Sequence, residues 1–255
     1  MDIEGKAAIV TGAGTGVGRA TAYQLADRGC SVLVNYSRSQ ESAEAVAAEV
    51  ERRGVKALAY KADVAEDEQC RAMVREAERA FGQLDVLVNN AGTTKFVPHA
   101  QLEDLDADDW NRILNVNLVG PFQCARAAEG LLRAGDDGGE IVMTSSIAGL
   151  AGIGSSIAYC ASKAGLNNLT VTLARVLGPQ IRVNAVAPGF IDGEWLQQGL
   201  GEAYEAVKAG MEAKSPLGRV TTPEDIATAI LSLITGTDLI TGHVVPVEGG
   251  ALLGA

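Results

Sequence analysis

The sequence predicts an α/β fold: one doubly wound, Rossmann-type domain around a mostly parallel sheet of seven strands. Three observations predict it. Short runs of consecutive apolar, Val- and Ile-rich residues recur along the chain, as strands do when both faces of a parallel sheet are covered. Helix-length segments alternate with those runs, as in βαβ units. Glycines follow the apolar runs, where strands turn tightly into helices. The 255 residues suit one such domain, because α/β domains run to about 250 residues without splitting.

In chain order, AAIVT at 7–11 reads as a buried strand and 16–28 as a helix. SVLVN at 31–35 is the second strand, followed by an Ala- and Glu-rich helix at 39–53. A short strand at 55–60 leads to an amphipathic helix at 66–82, and LDVLV at 84–88 is the fourth strand. A long helix is expected over about 107–133, then the strand EIVMTS at 140–145, a helix over roughly 157–177 and the strand IRVNAVA at 181–187. A polar and mixed stretch at 190–220 interrupts the alternation before a helix after Pro223 and a final strand, HVVPV at 243–247. That stretch is too long for an ordinary connection, and such segments often form binding lids; a plain surface loop is the other reading. With no linker, repeat or low-complexity tract, residues 1–255 read as one domain with a candidate lid at about 190–215.

The net charge of −11 sets the chain against nucleic acid and anionic membrane surfaces. The opening MDIEGKAAIV has no basic segment ahead of a long apolar stretch, so a soluble, cytoplasmic protein is expected. No apolar run is long enough to span a bilayer. Cys30, Cys70, Cys124 and Cys160 lie far apart without metal-ligand spacing and read as small core or surface residues. His99 and His243 read as structural or solvated, and no metal site is expected.

TGAGTGVG at 11–18 joins the first strand to the first helix. Gly12, Gly16 and Gly18 have G-x-x-x-G-x-G spacing, with Thr15 and Val17 among them, and so depart from the G-x-G-x-x-G dinucleotide fingerprint. The physical logic is shared. Glycine lets the backbone turn sharply and approach a pyrophosphate, and the next helix offers free N–H groups and the positive end of its dipole. A glycine-rich turn without a ligand fits the same residues. About twenty residues on, an NAD site places an acid on the ribose hydroxyls. Here the second strand ends Asn35-Tyr36-Ser37-Arg38, with no carboxylate. Ser37 can hydrogen-bond a 2′-phosphate and Arg38 can pair with it, where an acid would repel it. NADP(H) is therefore the expected cofactor and NAD(H) the alternative. An ordinary solvated Arg38 is also compatible, and Thr15 offers no second cation.

Taken in order, the motifs resemble those of the short-chain dehydrogenase/reductase family in its single-domain form, over essentially the whole chain. TGAGTGVG is similar to its glycine turn, and Asp63-Val64 to the pair that meets the adenine ring. Asn90, Ala91 and Gly92, in NNAG at 89–92, resemble the motif behind the cofactor. Asn117 in NVNL, Ser146, Tyr159 and Lys163 resemble the catalytic set; Pro188-Gly189, with Ile191 just beyond, resembles the segment beside the nicotinamide. The 3-oxoacyl-(acyl-carrier-protein) reductases and related carbonyl reductases look like close relatives. The resemblance implies a dinucleotide-dependent oxidoreductase interconverting ketone and secondary alcohol, with a small carbonyl compound or acyl thioester as substrate. It also implies a homotetramer built on the 107–133 and 157–177 helices and the final strand.

Ketone reduction needs a hydride on carbon and a proton on oxygen. Free Tyr has a pKa of about 10, which a nearby positive charge lowers. Tyr159 and Lys163 are four apart on a predicted helix and share a face. Lys163 is therefore expected to depress the Tyr159 pKa, making the phenol the proton donor and acceptor. Ser146 follows a strand at its carboxyl end, where α/β sheets bind ligands, and its hydroxyl can donate to the substrate oxygen. Ser145 is its rival; the family spacing relative to Tyr159 selects Ser146. By resemblance, Lys163 also holds the nicotinamide ribose, and Asn117 holds a water that links Lys163 to solvent.

One position departs from the family pattern. The run PGFIDGEW places Gly193 where a cofactor-contacting Thr is common, which puts lid geometry and cofactor affinity in question and suggests a hinge. The substrate pocket is expected from Thr94, Phe96, Ile147, Ile153, Phe190 and Trp195, mostly apolar side chains that equally suit a plain core. Alternatives are an NAD(H)-dependent secondary-alcohol or hydroxysteroid-type dehydrogenase, another enzyme class on the same scaffold, or a catalytically idle nucleotide-binding protein.

Overall fold

The computed structural model describes residues 1–254. Its strands are β1 (Ala7–Val10), β2 (Ser31–Tyr36), β3 (Ala57–Lys61), β4 (Val86–Asn89), β5 (Gly139–Thr144), β6 (Ile181–Pro188) and β7 (Val244–Val247). They form one sheet in the order β3-β2-β1-β4-β5-β6-β7. Every pairing is parallel, the last strand included. Helices α1 (Gly16–Ala26), α2 (Gln40–Arg52) and α10 (Pro223–Thr235) cover one face; α3 (Asp67–Phe81), α5 (Gly120–Ala134) and α7 (Ile157–Leu177) cover the other.

The strands read as continuous apolar runs because alternate residues feed two cores. Ala8, Val10, Val32, Val34, Val86 and Val88 pack against α1, α2 and α10. Ile9, Leu33, Leu87, Ile141 and Met143 pack against α3, α5 and α7. With aromatics scarce, small and branched aliphatic side chains fill both layers. The structure also brings Cys70 and Cys124 together, Sγ to Sγ at 3.6 Å between α3 and α5, a pairing their sequence separation conceals.

Two segments differ from the sequence reading. The long helix expected over 107–133 is α4 (Ala107–Leu114) and α5 joined by a π-helical turn, Asn115–Val119. The 190–220 stretch is not irregular: it folds as α8 (Glu194–Leu200), a short 3₁₀ turn and α9 (Tyr204–Lys214). Among their described residues only Tyr204 is buried, so these helices lack the apolar periodicity that marks a core helix. A one-turn helix, α6 (Ala148–Ala151), follows β5. Cap chemistry sets the flanking boundaries: Thr222 and Asp225 close a capping box behind Pro223 at the start of α10.

Candidate active site

β1 has β2 on one side and β4 on the other, so the connections diverge at this point of the sheet. A cleft of about 1120 Å³ opens there, beyond the carboxyl ends of the strands. It runs from the glycine turn to the lid helices.

The glycine turn is built for close approach. Gly12 has φ +62°, and a Cβ on it would lie 2.9 Å from Ala91 Cα. Gly16 has φ +51° and faces open space. Gly18 packs inward rather than lining the cleft: a Cβ there would sit 2.5 Å from the Gly12 oxygen and 2.6 Å from Asn90 Nδ2. Asn90 Nδ2 donates to the carbonyls of Thr11 at 2.9 Å and Gly12 at 3.1 Å. The Thr11 hydroxyl in turn accepts from the N–H groups of Asn90 at 2.9 Å and Ala91 at 3.0 Å. Asn35 Oδ1 accepts from Gly12 N–H at 3.1 Å, and its Nδ2 donates to the Ala62 carbonyl at 3.0 Å. This bracing by Asn35 escaped the sequence reading; the signal was a polar residue inside the apolar strand SVLVNY. The first turn of α1 carries neither a side-chain cap nor an acidic residue. A cradle open at Gly16 and facing a helix N-terminus suits a pyrophosphate.

Beyond the cradle, Tyr36, Ser37, Arg38, Asp63 and Val64 line the cleft, with Ser37 and Arg38 exposed. Val64 is fixed from behind: Gln123 Nε2 donates to its carbonyl at 2.8 Å, and Gly120 approaches so closely that a Cβ would lie 2.9 Å from Val64 Cγ2. Thr15 and Val17 line the cleft, as do Asn90, Ala91 and Gly92. Pro188, Gly189 and Ile191 line it near the lid. Two further cations, Arg19 and Arg112, reach the same cleft and were not singled out in sequence.

Ser146, Tyr159 and Lys163 meet on the cleft wall, and Asn117 lies buried behind it. Ser156 caps α7 by accepting the Tyr159 N–H at 3.2 Å, setting Tyr159 in the first turn, and Lys163 follows one turn later. Lys163 Nζ lies 5.6 Å from the Tyr159 ring centroid and donates to the Thr144 carbonyl at 2.7 Å. Burial pushes the Lys163 pKa down to about 8. Burial also pushes the Tyr159 phenol up to about 12, while the Ser146 hydroxyl pulls it back. The phenol pKa is therefore set by burial and Ser146 rather than lowered by Lys163 as expected; Lys163 is buried and Tyr159 part-buried, and burial disfavours the charged form of each. Ser146 Oγ accepts the Ala148 N–H at 3.1 Å, leaving its proton to donate into the cleft. Ser145 is buried and bonds Asn167 Oδ1 at 2.5 Å, a bracing role distinct from that of its neighbour. Asn117, fully buried on the π turn, accepts the Thr93 N–H at 2.8 Å and donates to the Thr93 carbonyl at 2.9 Å and Ser162 Oγ at 3.1 Å. Its amide braces the wall behind Gly92.

At the lid end, Phe96, Ile147, Ile153, Phe190 and Trp195 line the cleft. Thr94 does not: its hydroxyl is paired with Ser155 Oγ at 2.7 Å. Gly193 has φ 171°, extended backbone open to any residue, and a Cβ there meets nothing within 4 Å. Glycine is therefore not demanded at this position. The lid is held instead by Asp192, which accepts from the Tyr204 hydroxyl and from Lys208 Nζ at 2.6 Å. Among the described residues no group of three His, Cys, Asp or Glu is placed to hold a metal ion, and no helix is long and apolar enough to cross a membrane.

Comparisons with known proteins agree with this geometry. A family model described as enoyl-(acyl carrier protein) reductase matches residues 12–251. A 3-oxoacyl-(acyl-carrier-protein) reductase of Staphylococcus aureus is 40% identical over 248 residues, covering 96% of this chain and 97% of the relative. A hydroxynaphthalene reductase-like protein of Metarhizium brunneum is 35% identical over 262 residues, covering 98% and 96%. Among solved structures, an NAD+-bound xylitol dehydrogenase superposes with a TM-score of 0.89 at 32% identity, covering 98% of this chain and all of that one. Motif order, sheet order and these full-length likenesses lead to one conclusion: the chain belongs to the short-chain dehydrogenase/reductase family and is an oxidoreductase similar to ketoacyl reductases.

Proposed function

We propose that this chain uses NADP(H) to reduce a ketone to a secondary alcohol, with Tyr159 giving and taking the proton. One observation carries the reading: Ser146, Tyr159 and Lys163 meet on the wall of a cleft whose far end carries Ser37 and Arg38 in place of a carboxylate. Gly12, Gly16, Tyr36, Asp63–Val64 and Asn90–Gly92 would hold the dinucleotide, with Pro188, Gly189 and Ile191 toward its nicotinamide. Bound there, the cofactor supplies or accepts the hydride.

The chain's own residues handle the oxygen. Ser146 donates to the carbonyl oxygen as negative charge develops. Burial keeps the phenolic proton on Tyr159 until that charge can receive it. The Lys163 ammonium then stabilises the phenolate left behind. Asn117 holds the wall that positions Lys163, and a water relay from Lys163 to solvent remains part of the proposal. The alcohol is oxidised by the same groups in reverse. The S. aureus relative's name favours a 3-oxoacyl-type carbonyl, whereas the NAD+-bound xylitol dehydrogenase keeps NAD(H) as the competing cofactor. A homotetramer packed through α4–α5, α7 and β7 belongs to the same reading.

NADPH and NADH consumption across a panel of carbonyl compounds tests it. One charge-assisted hydrogen bond to the 2′-phosphate favours NADPH by about tenfold or more, and Arg38→Ala is expected to erase that margin. Tyr159→Phe is expected to slow turnover by about 10²- to 10⁴-fold. Preference for NADH would overturn the cofactor reading and leave the proton transfer standing; no consumption of either would overturn both.

A further inference from the structure

We infer that the substrate is an uncharged, planar, ring-bearing ketone taken free from solution, and that Trp195 selects it. The inference rests on the ketone-reductase reading and narrows its substrate class. The chain has only four Phe and two Trp, yet Phe96, Phe190 and Trp195 all line the lid end of the cleft. The Trp195 ring centroid lies 5.8 Å from that of Phe96 at 59° and 6.2 Å from that of Tyr159 at 48°. Neither pair is stacked face to face, and Trp195 remains 48% exposed, so ring surface is left over for a ligand.

α8 packs closely on this wall. A Cβ on Gly199 would lie 2.1 Å from Cε2 and Cζ of Phe96, so any larger residue there would have to push the ring aside. Trp195 and Gly199 are four apart on α8 and share the face that meets Phe96. Phe96 and Trp195 thus form one continuous aromatic surface under α8.

Charge disfavours the acyl-thioester form of the 3-oxoacyl carbonyl that the S. aureus relative's name suggests. The lid helices and the turn between them carry Glu194, Glu202, Glu205 and Glu212 against Lys208 and Lys214, and Lys208 is occupied by Asp192. The cations lining the cleft are Arg19, Arg38, Arg112 and Lys163, none of them on the lid. A thioester carried on a phosphorylated arm, or on an acidic carrier domain, would meet repulsion at this mouth.

The test compares kcat/KM for 2-tetralone, its saturated non-planar counterpart 2-decalone, and acetoacetyl-coenzyme A, each with NADPH. An aromatic contact is worth up to about tenfold. We expect 2-tetralone to exceed 2-decalone by about that factor, acetoacetyl-coenzyme A to be poorest, and Trp195→Leu to remove the tetralone advantage, chiefly through KM. Equal turnover of the two bicyclic ketones, preference for the thioester, or an equal loss on both ketones in Trp195→Leu overturns the inference and leaves the reductase reading intact. If no carbonyl is reduced, the reductase reading falls and binding decides the rest. In Trp110→Phe, where Trp195 is the sole tryptophan, saturable fluorescence quenching by 2-tetralone and not by 2-decalone upholds the inference; its absence overturns it.

Discussion

The two ends of the cleft are built differently. At the cradle, backbone meets backbone: Gly12 lies against Ala91, Gly18 against the Gly12 carbonyl, and buried Thr11 and Asn35 with part-buried Asn90 tie three strand ends together. At the lid, α8 contributes no buried residue and α9 only Tyr204, and the Asp192 contacts to Tyr204 and Lys208 hold the segment. On the proposed reading, one end presents amide groups to the dinucleotide. On the same reading, the other presents lid side chains to the substrate. That reading gives recognition of the dinucleotide and choice of substrate to separate stretches of chain, so that the lid could change without disturbing the cradle.

The largest expected effect would come from breaking the rigid end. Gly12→Ala places a Cβ in left-handed backbone and against Ala91, costing about 2–5 kcal/mol from strain and overpacking together. Urea denaturation and NADPH titration should show lowered stability and weakened binding; a neutral result would mean the cradle is as yielding as the lid. Next comes the wall between the two ends. Lys163 sits near 8 because burial disfavours its charge, so the ammonium is present below that pH and lost above it, while Tyr159 keeps its proton to about 12. The kcat/KM for reduction should be level below pH 8 and then fall about tenfold per unit. A limb near pH 10 or above would instead assign the titration to the phenol. The smallest effect is expected at the lid. Asp192→Asn weakens a part-exposed ion pair worth about 1 kcal/mol or less. KM should rise a few-fold with unfolding barely shifted, and a change as large as that of Gly12→Ala would erase the contrast.

Legibility in the sequence followed the same division. The sheet was readable because parallel strands buried on both faces are continuous apolar runs, and the cradle because its geometry demands glycine at fixed spacing. The lid helices were not: Gly193, Gly199, Gly201 and Gly210 interrupt them, and little of their surface faces a core. Thr94 looked like a pocket residue from its position after NNAG, but its hydroxyl bonds Ser155 and it stands off the cleft. Arg19 and Arg112 stayed hidden because solvated helix arginines look alike until the fold shows which of them face the cleft. Spacing foretold that Lys163 lies near Tyr159, at 5.6 Å from the ring centroid, but not the burial that pushes the phenol pKa up, because desolvation depends on what the fold packs around the side chain.

The π turn at Asn115–Val119 carries a consequence of another kind. Such a turn is a helix with one residue inserted. Successive α-helical residues are about 100° apart, so deleting any one residue there would restore an unbroken helix and rotate one flank by that angle against the other. Either Asn117 would swing away from Thr93, or Cys124, Ala125, Ala128 and Leu132 would turn out of their core. This stretch should tolerate changes of side chain better than changes of length, because the count of residues here keeps the candidate catalytic wall in register with the sheet.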